Sequence, residues 1–170
     1  MKPSTTDIEA AMMAELDFIK NIIVTNVSWG MVLGGRPLHE CDLVSVNKTG
    51  YATEIEIKTS KYDLLKDKKK KHGHQHNHLK YLYFAVPRFL EEIALAEIPE
   101  RAGLYVIYYS QCMWRAIISR PAQANNTARK WNDKDKANLS RLGTMRIHKL
   151  KLRIAELSRA QQELFAGQDK

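Results

Sequence analysis

The sequence predicts an α/β domain, and three patterns carry that expectation: an apolar stripe at helical spacing at the start, short apolar runs between turn residues in the middle, and a second helical stripe at the end. In the first, Ile8, Met12, Leu16, Ile19 and Ile23 fall on one face of a helix over residues 5–24, with Thr6 or Asp7 as its cap. Extended segments are expected over residues 27–33, 40–46 and 52–59, joined by Gly34-Gly35-Arg36-Pro37 and by Asn47-Lys48-Thr49-Gly50 as turns of an antiparallel meander. Residues 60–71 read as a very basic helix. Tyr81 to Val86, closed by Pro87, is too short for a helix and reads as a central buried strand. A short helix follows over 88–96, then two strands over 103–109 and 113–119 as an edge hairpin. In the last stripe, Ile147, Leu150, Ile154, Leu157 and Leu164 form a seam within Arg146–Phe165, interrupted by Gln161, that packs on the body or on another copy of the chain. Together these predict a central mixed sheet flanked by helices.

At 170 residues, with 44% hydrophobic and 27% charged, the chain is long enough for one domain with a real core and is not composed like a disordered protein. No apolar run approaches the roughly 18 residues of a membrane span, and the first residues lack the layout of a secretory signal. A cytoplasmic protein with no membrane partner is therefore expected. Cys41 and Cys112 are too few and too isolated for a disulfide framework or a cysteine-based zinc site and are expected to be buried thiols.

The net charge of +8 is unevenly placed. Residues 1–57 hold four basic and eight acidic side chains, residues 58–71 hold seven and two, and residues 128–153 hold nine and two. Two basic blocks thus follow a carboxylate-rich start, which suits binding of a polyanion with help from a divalent metal. A solvated charged surface is the plainer alternative for either block alone.

The acids fall on strands. Period-two alternation puts Glu54, Glu56 and Lys58 on one side of a strand opposite Ile55 and Ile57, and Glu40 and Asp42 on one side opposite Cys41. Carboxylates crowded on one face repel unless a cation lies among them, and oxygen ligands suit Mg²⁺, with Mn²⁺ as the alternative. A structural ion pair, Lys58 neutralising Glu56, fits the same spacing.

This constellation resembles the PD-(D/E)xK nuclease superfamily, with Asp42 as the first aspartate and Glu56-Ile57-Lys58 as the E-x-K tripeptide. Asp42 opens a hydrophobic strand. Glu56 to Asp63 runs into Lys66-Asp67-Lys68-Lys69, and Tyr83-Phe84-Ala85-Val86-Pro87 and Gly103-Leu104 follow. That order is similar to the small bacterial and phage endonuclease-like proteins of the MmcB-like DNA-repair type, over roughly residues 8–109. The resemblance implies a restriction-endonuclease-like core over residues 1–122, with a basic helical extension over 123–170, and a Mg²⁺-dependent deoxyribonuclease activity. It implies a metal held by Asp42, Glu56 and the Ile57 carbonyl, with Lys58 positioning or deprotonating the water. The superfamily often adds a glutamate from the first helix, for which Glu9 and Glu15 compete. Glu40 would lie near Asp42, and Glu54 is an acid that the pattern does not require and that reads equally well as a solvent-facing strand residue. No proline precedes Asp42, a departure that removes no ligand. A nuclease fold that binds DNA without cutting it is the alternative.

Lys61, Lys66, Lys68, Lys69, Lys70 and Lys71 follow the E-x-K strand directly and are candidate phosphate contacts, as are Arg129, Lys130, Lys134 and Lys136 in the second block. Trp131 either stacks on a base or packs in the core. His72, His74, His76 and His78 could hold zinc or nickel, although a polar loop is the simpler reading. The expected partner is nucleic acid, DNA foremost, with a homodimer through the Arg146–Phe165 helix.

Overall fold

A computed structural model describes residues 1–27, 32–33, 36–67 and 77–166. Its centre is a six-stranded mixed sheet built from β1 (Ile22–Val27), β4 (Cys41–Val46), β5 (Ala52–Ile57), β6 (Leu79–Pro87), β7 (Gly103–Ser110) and β8 (Met113–Arg120), in that spatial order. The β5–β6 and β6–β7 pairs are parallel and the others antiparallel. A two-stranded hairpin of β2 (Val32–Leu33) and β3 (Arg36–Pro37) precedes β4. The helices are α1 (Thr5–Glu15), α2 (Lys61–Asp67), α3 (Glu91–Glu97, entered through a 3₁₀ turn at Arg88–Leu90) and α4 (Asp133–Ala166). Among the described residues no helix is long and apolar enough to cross a membrane.

The parallel centre explains the Tyr81–Val86 run: β6 is sandwiched between β5 and β7, so both of its faces need hydrocarbon. One face of the sheet packs Leu43, Ile55, Ile57, Ala85 and Ile107 against Ile8, Ala11 and Met12 of α1 in one continuous cluster. The other face is in two pieces. Leu82, Phe84, Val86, Leu104 and Val106 lie with Leu64 of α2 and Ala94 of α3. Val44, Val46, Ala52 and Leu79 lie with Trp131 and Leu139. Between them runs the row Glu54, Glu56, Lys58.

The first helix is shorter than residues 5–24. Ser4 caps it, rather than Thr6 or Asp7: the Asp7 amide donates to Ser4 Oγ at 3.2 Å while the Ser4 amide donates to the Asp7 carboxylate at 2.8 Å, a reciprocal capping box. The helix ends at Glu15, and Asp17 turns the chain at φ 55°. Ile22, Ile23 and Val24, β-branched and poor at helix crowding, pair with β4 instead. Ile19 is left exposed. The last helix, conversely, starts thirteen residues before the apolar seam. Asn132 and Asp135 cap each other's amides, at 2.9 and 3.2 Å, and α4 runs for 34 residues, about 50 Å. Its first half packs along β1, with Gly143 against Val24. Ile147, Leu150, Ile154 and Leu157 are all more than half exposed, so the seam is not buried on the body.

Trp131 belongs to the core and does not present a stacking face. It is 2% exposed, its indole N–H donates to the His78 carbonyl at 2.8 Å, and its amide donates to the Gly50 carbonyl at 2.8 Å. Gly50 has φ +88°, which the turn between β4 and β5 requires. Residues 123–139, placed in an extension by the sequence, thus supply part of this core. Of the two cysteines Cys41 is buried, but Cys112 is exposed, in the β7–β8 turn where Gln111 and Cys112 both take positive φ.

Gly103 sits under the Tyr83 ring, and a Cβ there would lie 2.2 Å from Tyr83 Cε1 and 2.7 Å from the Ala122 amide nitrogen. Gly103→Ala is expected to lower unfolding stability by about 1–3 kcal/mol through overpacking, read from the urea midpoint.

Candidate functional site

β4 and β5 pair from Val46–Ala52 to Leu43–Ile55 and then cease to pair. Beyond that point the Asp42 side chain stands in for the missing strand: its Oδ2 accepts the Ile57 amide at 2.8 Å. The N–H and C=O of one strand residue face the same neighbour, so the Ile57 carbonyl also turns toward β4. The next amide, that of Lys58, faces the other way and donates to the Ala85 carbonyl at 3.1 Å.

Register fixes the row beside this opening. Glu54 pairs across β5–β6 with Leu82 and Glu56 with Phe84, so the acids share the face of the α2–α3 cluster. They are deeply buried: Glu54 is 0% exposed, Glu56 1% and Lys58 4%. A solvent-facing place for Glu54 is therefore wrong, because the face it occupies is covered. Lys58 Nζ donates to Glu56 Oε2 at 2.8 Å, within the sequence's ion-pair alternative. Asp42 is half-buried, and Glu40 is exposed just before β4.

The carboxylates converge electrically on Cys41. Burial pushes its thiol pKa far up, and the charges of Glu54, Glu56 and Asp42 push it further. On the α1 side, Glu9 Oε1 accepts from Asn26 Nδ2 at 2.9 Å. Burial raises the Glu9 pKa, the Asn26 bond lowers it, and the Asp42 charge raises it again, so Glu9 is within the field of Asp42. The field of the competing Glu15 falls instead on Tyr105. Arg146 of α4 donates to the Asn26 carbonyl at 2.5 Å, and Glu9 and Arg146 line one groove with Met13, Ile23 and Val24. Arg146 is thus a neighbour of Glu9, which its place in a basic run did not reveal.

Of the basic residues, Lys61 and Lys66 are exposed on α2, which begins four residues beyond Ile57 and is entered through Ser60, whose Oγ accepts the Asp63 amide at 3.2 Å. Lys68 to Lys71 and His72, His74 and His76 lie outside the described residues. His78 is buried, and its Nδ1 is hydrogen-bonded to Asn77 Oδ1 at 2.8 Å. Lys130 lies over the Tyr51 ring, at 5.4 Å, as does Lys80 at 5.0 Å. Tyr51 is at the far end of β5 from Lys58, about 20 Å along the strand, so the structure does not bring Lys130 to the acids. Arg129 and Lys134 are exposed, and Lys136 is bonded to Asp133 at 3.2 Å.

One group was missed from the sequence. His39 Nε2 is hydrogen-bonded to Glu54 Oε1 at 2.5 Å, and Cys41 Sγ lies 3.4 Å from the His39 carbonyl oxygen. The signal was the i, i+2 pair His39 and Cys41 on the entry to an acid-bearing strand.

The residues that the sequence assigns to a metal, Asp42, Glu56 and the Ile57 carbonyl, all offer hard oxygen donors. That set fits Mg²⁺ or Mn²⁺.

No family model matches the chain, and no curated protein matches it. Among solved structures it is similar to a protein of unknown function from Silicibacter pomeroyi, at 15% identity and TM-score 0.58, with 92% of this chain and 94% of that chain covered. That likeness concerns the fold: the two chains share an arrangement over nearly their whole lengths.

Proposed function

We propose that this chain is a restriction-endonuclease-like nuclease that hydrolyses phosphodiester bonds in DNA with Mg²⁺ or Mn²⁺. The observation that carries the reading is the Asp42 carboxylate bonded to the Ile57 amide where β4 and β5 cease to pair, with Glu56 and Lys58 flanking Ile57 in the chain at the end of β5. The amide holds Oδ2 and so orients Oδ1 as a ligand atom. A bound dication supplies charge neutralisation at the phosphate and a more acidic water. The rest falls to the side chains. Asp42 and Glu56 hold the ion with the Ile57 carbonyl, Glu9 adds negative charge from α1, and Lys58 aligns the attacking water. Lys61 and Lys66, exposed on the helix that leaves this strand, hold the phosphate backbone, and Arg129, Lys130, Lys134 and Lys136 extend the track toward the other end of β5. The exposed stripe Ile147, Leu150, Ile154 and Leu157 repeats at three and four residues, which suits a second copy of the chain.

A second reading is favoured by the 2.8 Å bond between Lys58 and Glu56: a nuclease-fold protein that binds DNA and does not cut it. Plasmid, linear duplex and single-stranded DNA incubated in Mg²⁺, Mn²⁺ or EDTA separate the two. Cleavage that stops in EDTA supports the nuclease. Binding that weakens with salt but ignores metal, with no product, supports the binder.

A further inference from the structure

We propose that His39, Cys41 and Glu54 form a second metal site, for a borderline-soft dication of the zinc type, separate from the oxygen-ligand site at Asp42. The imidazole nitrogen, the sulfur and a carboxylate oxygen all lie within 4.8 Å of one another. Their chemistry is mixed nitrogen, sulfur and oxygen, which suits zinc and disfavours Mg²⁺.

The geometry needs a modest adjustment. A tetrahedral zinc ion with bonds of roughly 2.0–2.3 Å holds its ligand atoms about 3.3–3.7 Å apart. His39 and Glu54 are now joined by a hydrogen bond at 2.5 Å, so they must part by about 1 Å, while the set, which spans up to 4.8 Å, must close by a similar amount at its widest. Glu54 is fixed in the middle of β5, but His39 lies outside any strand, between β3 and β4, where the backbone can give. Cys41 begins β4 and is turned into the core with Val44.

Electrostatics point the same way. The buried carboxylates Glu54 and Glu56 set a negative potential around Cys41 that draws a dication, and a sulfur that binds one is held as thiolate by the ion itself. Three protein ligands leave a fourth position for water or a further donor, as in zinc sites that are not closed.

The test uses the full chain and Co²⁺, a spectroscopic substitute for zinc. One equivalent is expected to give a thiolate-to-cobalt charge-transfer band in the near ultraviolet with the visible bands of a four-coordinate ion, all displaced by Zn²⁺. Cys41→Ser should abolish the charge-transfer band, while Cys112→Ser and Asp42→Asn should leave it intact. His39→Gln should weaken Co²⁺ binding by more than the 10- to 100-fold typical of losing an outer partner. Circular dichroism of each variant checks folding. If Cys41→Ser does not fold, the His39→Gln affinity and the Cys112→Ser spectrum still decide. No thiolate band in the wild type, a band that survives Cys41→Ser, or one that vanishes with Cys112→Ser overturns the site. Cobalt bound without a thiolate band places it on other ligands and does the same. Because the band is independent of cleavage and of Asp42, failure of the nuclease reading leaves this result standing.

Discussion

Asp42→Asn is expected to lower Mg²⁺-dependent cleavage at least about 100-fold while changing stability by less than about 1 kcal/mol. The amide keeps an oxygen that can accept the Ile57 N–H, so the place where β4 and β5 cease to pair keeps its hydrogen bond. What it loses is the negative charge that the proposed site would offer the ion. Thermal unfolding and initial cleavage rates on the same preparation separate the two effects, and full activity in this variant would remove Asp42 from the site. Lys58 is a poorer first target. Its ammonium is bonded to a carboxylate that is 1% exposed, and Lys58→Ala strips that carboxylate of its cation in a dry place. Removing one partner of a buried pair costs about 3–5 kcal/mol, so lost cleavage in that variant would follow from either role. Glu56→Gln combined with Lys58→Met removes both charges together and is the fairer comparison.

The second large effect belongs to Trp131. Trp131→Ala should cost about 3–5 kcal/mol, by loss of buried area and by the cavity left among Val44, Val46, Ala52, Leu79 and Leu139. For a chain of this size that lowers the thermal midpoint by roughly 6–20 °C. Trp131→Phe keeps most of the ring and gives up the bond to the His78 carbonyl, so it should fall by less. A base-stacking tryptophan would show the opposite pattern: unchanged melting and weakened binding to single-stranded DNA. Differential scanning calorimetry with a DNA titration tells these apart.

Why the sequence spoke clearly in some places and not in others follows from the range of the forces involved. Asp42, Glu56 and Lys58 stand out because strand alternation is a local rule and charge on a buried face is rare. The sheet order of β5, β6 and β7 was half visible, since a short apolar run closed by Pro87 leaves little but a central strand. Ile19 and Ile23 misled because helical spacing was satisfied by chance; what ended the helix was the turn at Asp17 and the demand of β4 for an antiparallel neighbour, a tertiary effect. Trp131 could not be placed from its basic surroundings, because its burial depends on the Gly50 turn some eighty residues earlier. His39 escaped for a similar reason. Its partner Glu54 is on β5, fifteen residues on and across the Gly50 turn, a contact that strand alternation alone does not show.

The carboxylate that replaces a strand at Ile57 turns one backbone amide into a reporter. Everywhere else on that edge β5 is held by main chain, whose bonding does not change when a solute arrives. At Ile57 the acceptor is a carboxylate oxygen, so anything that draws on Asp42 must alter the electron density at that nitrogen. The Ile57 amide resonance is therefore expected to follow occupancy of the proposed centre directly, and its solvent-exchange rate measures how firmly the gap between the two strands is closed.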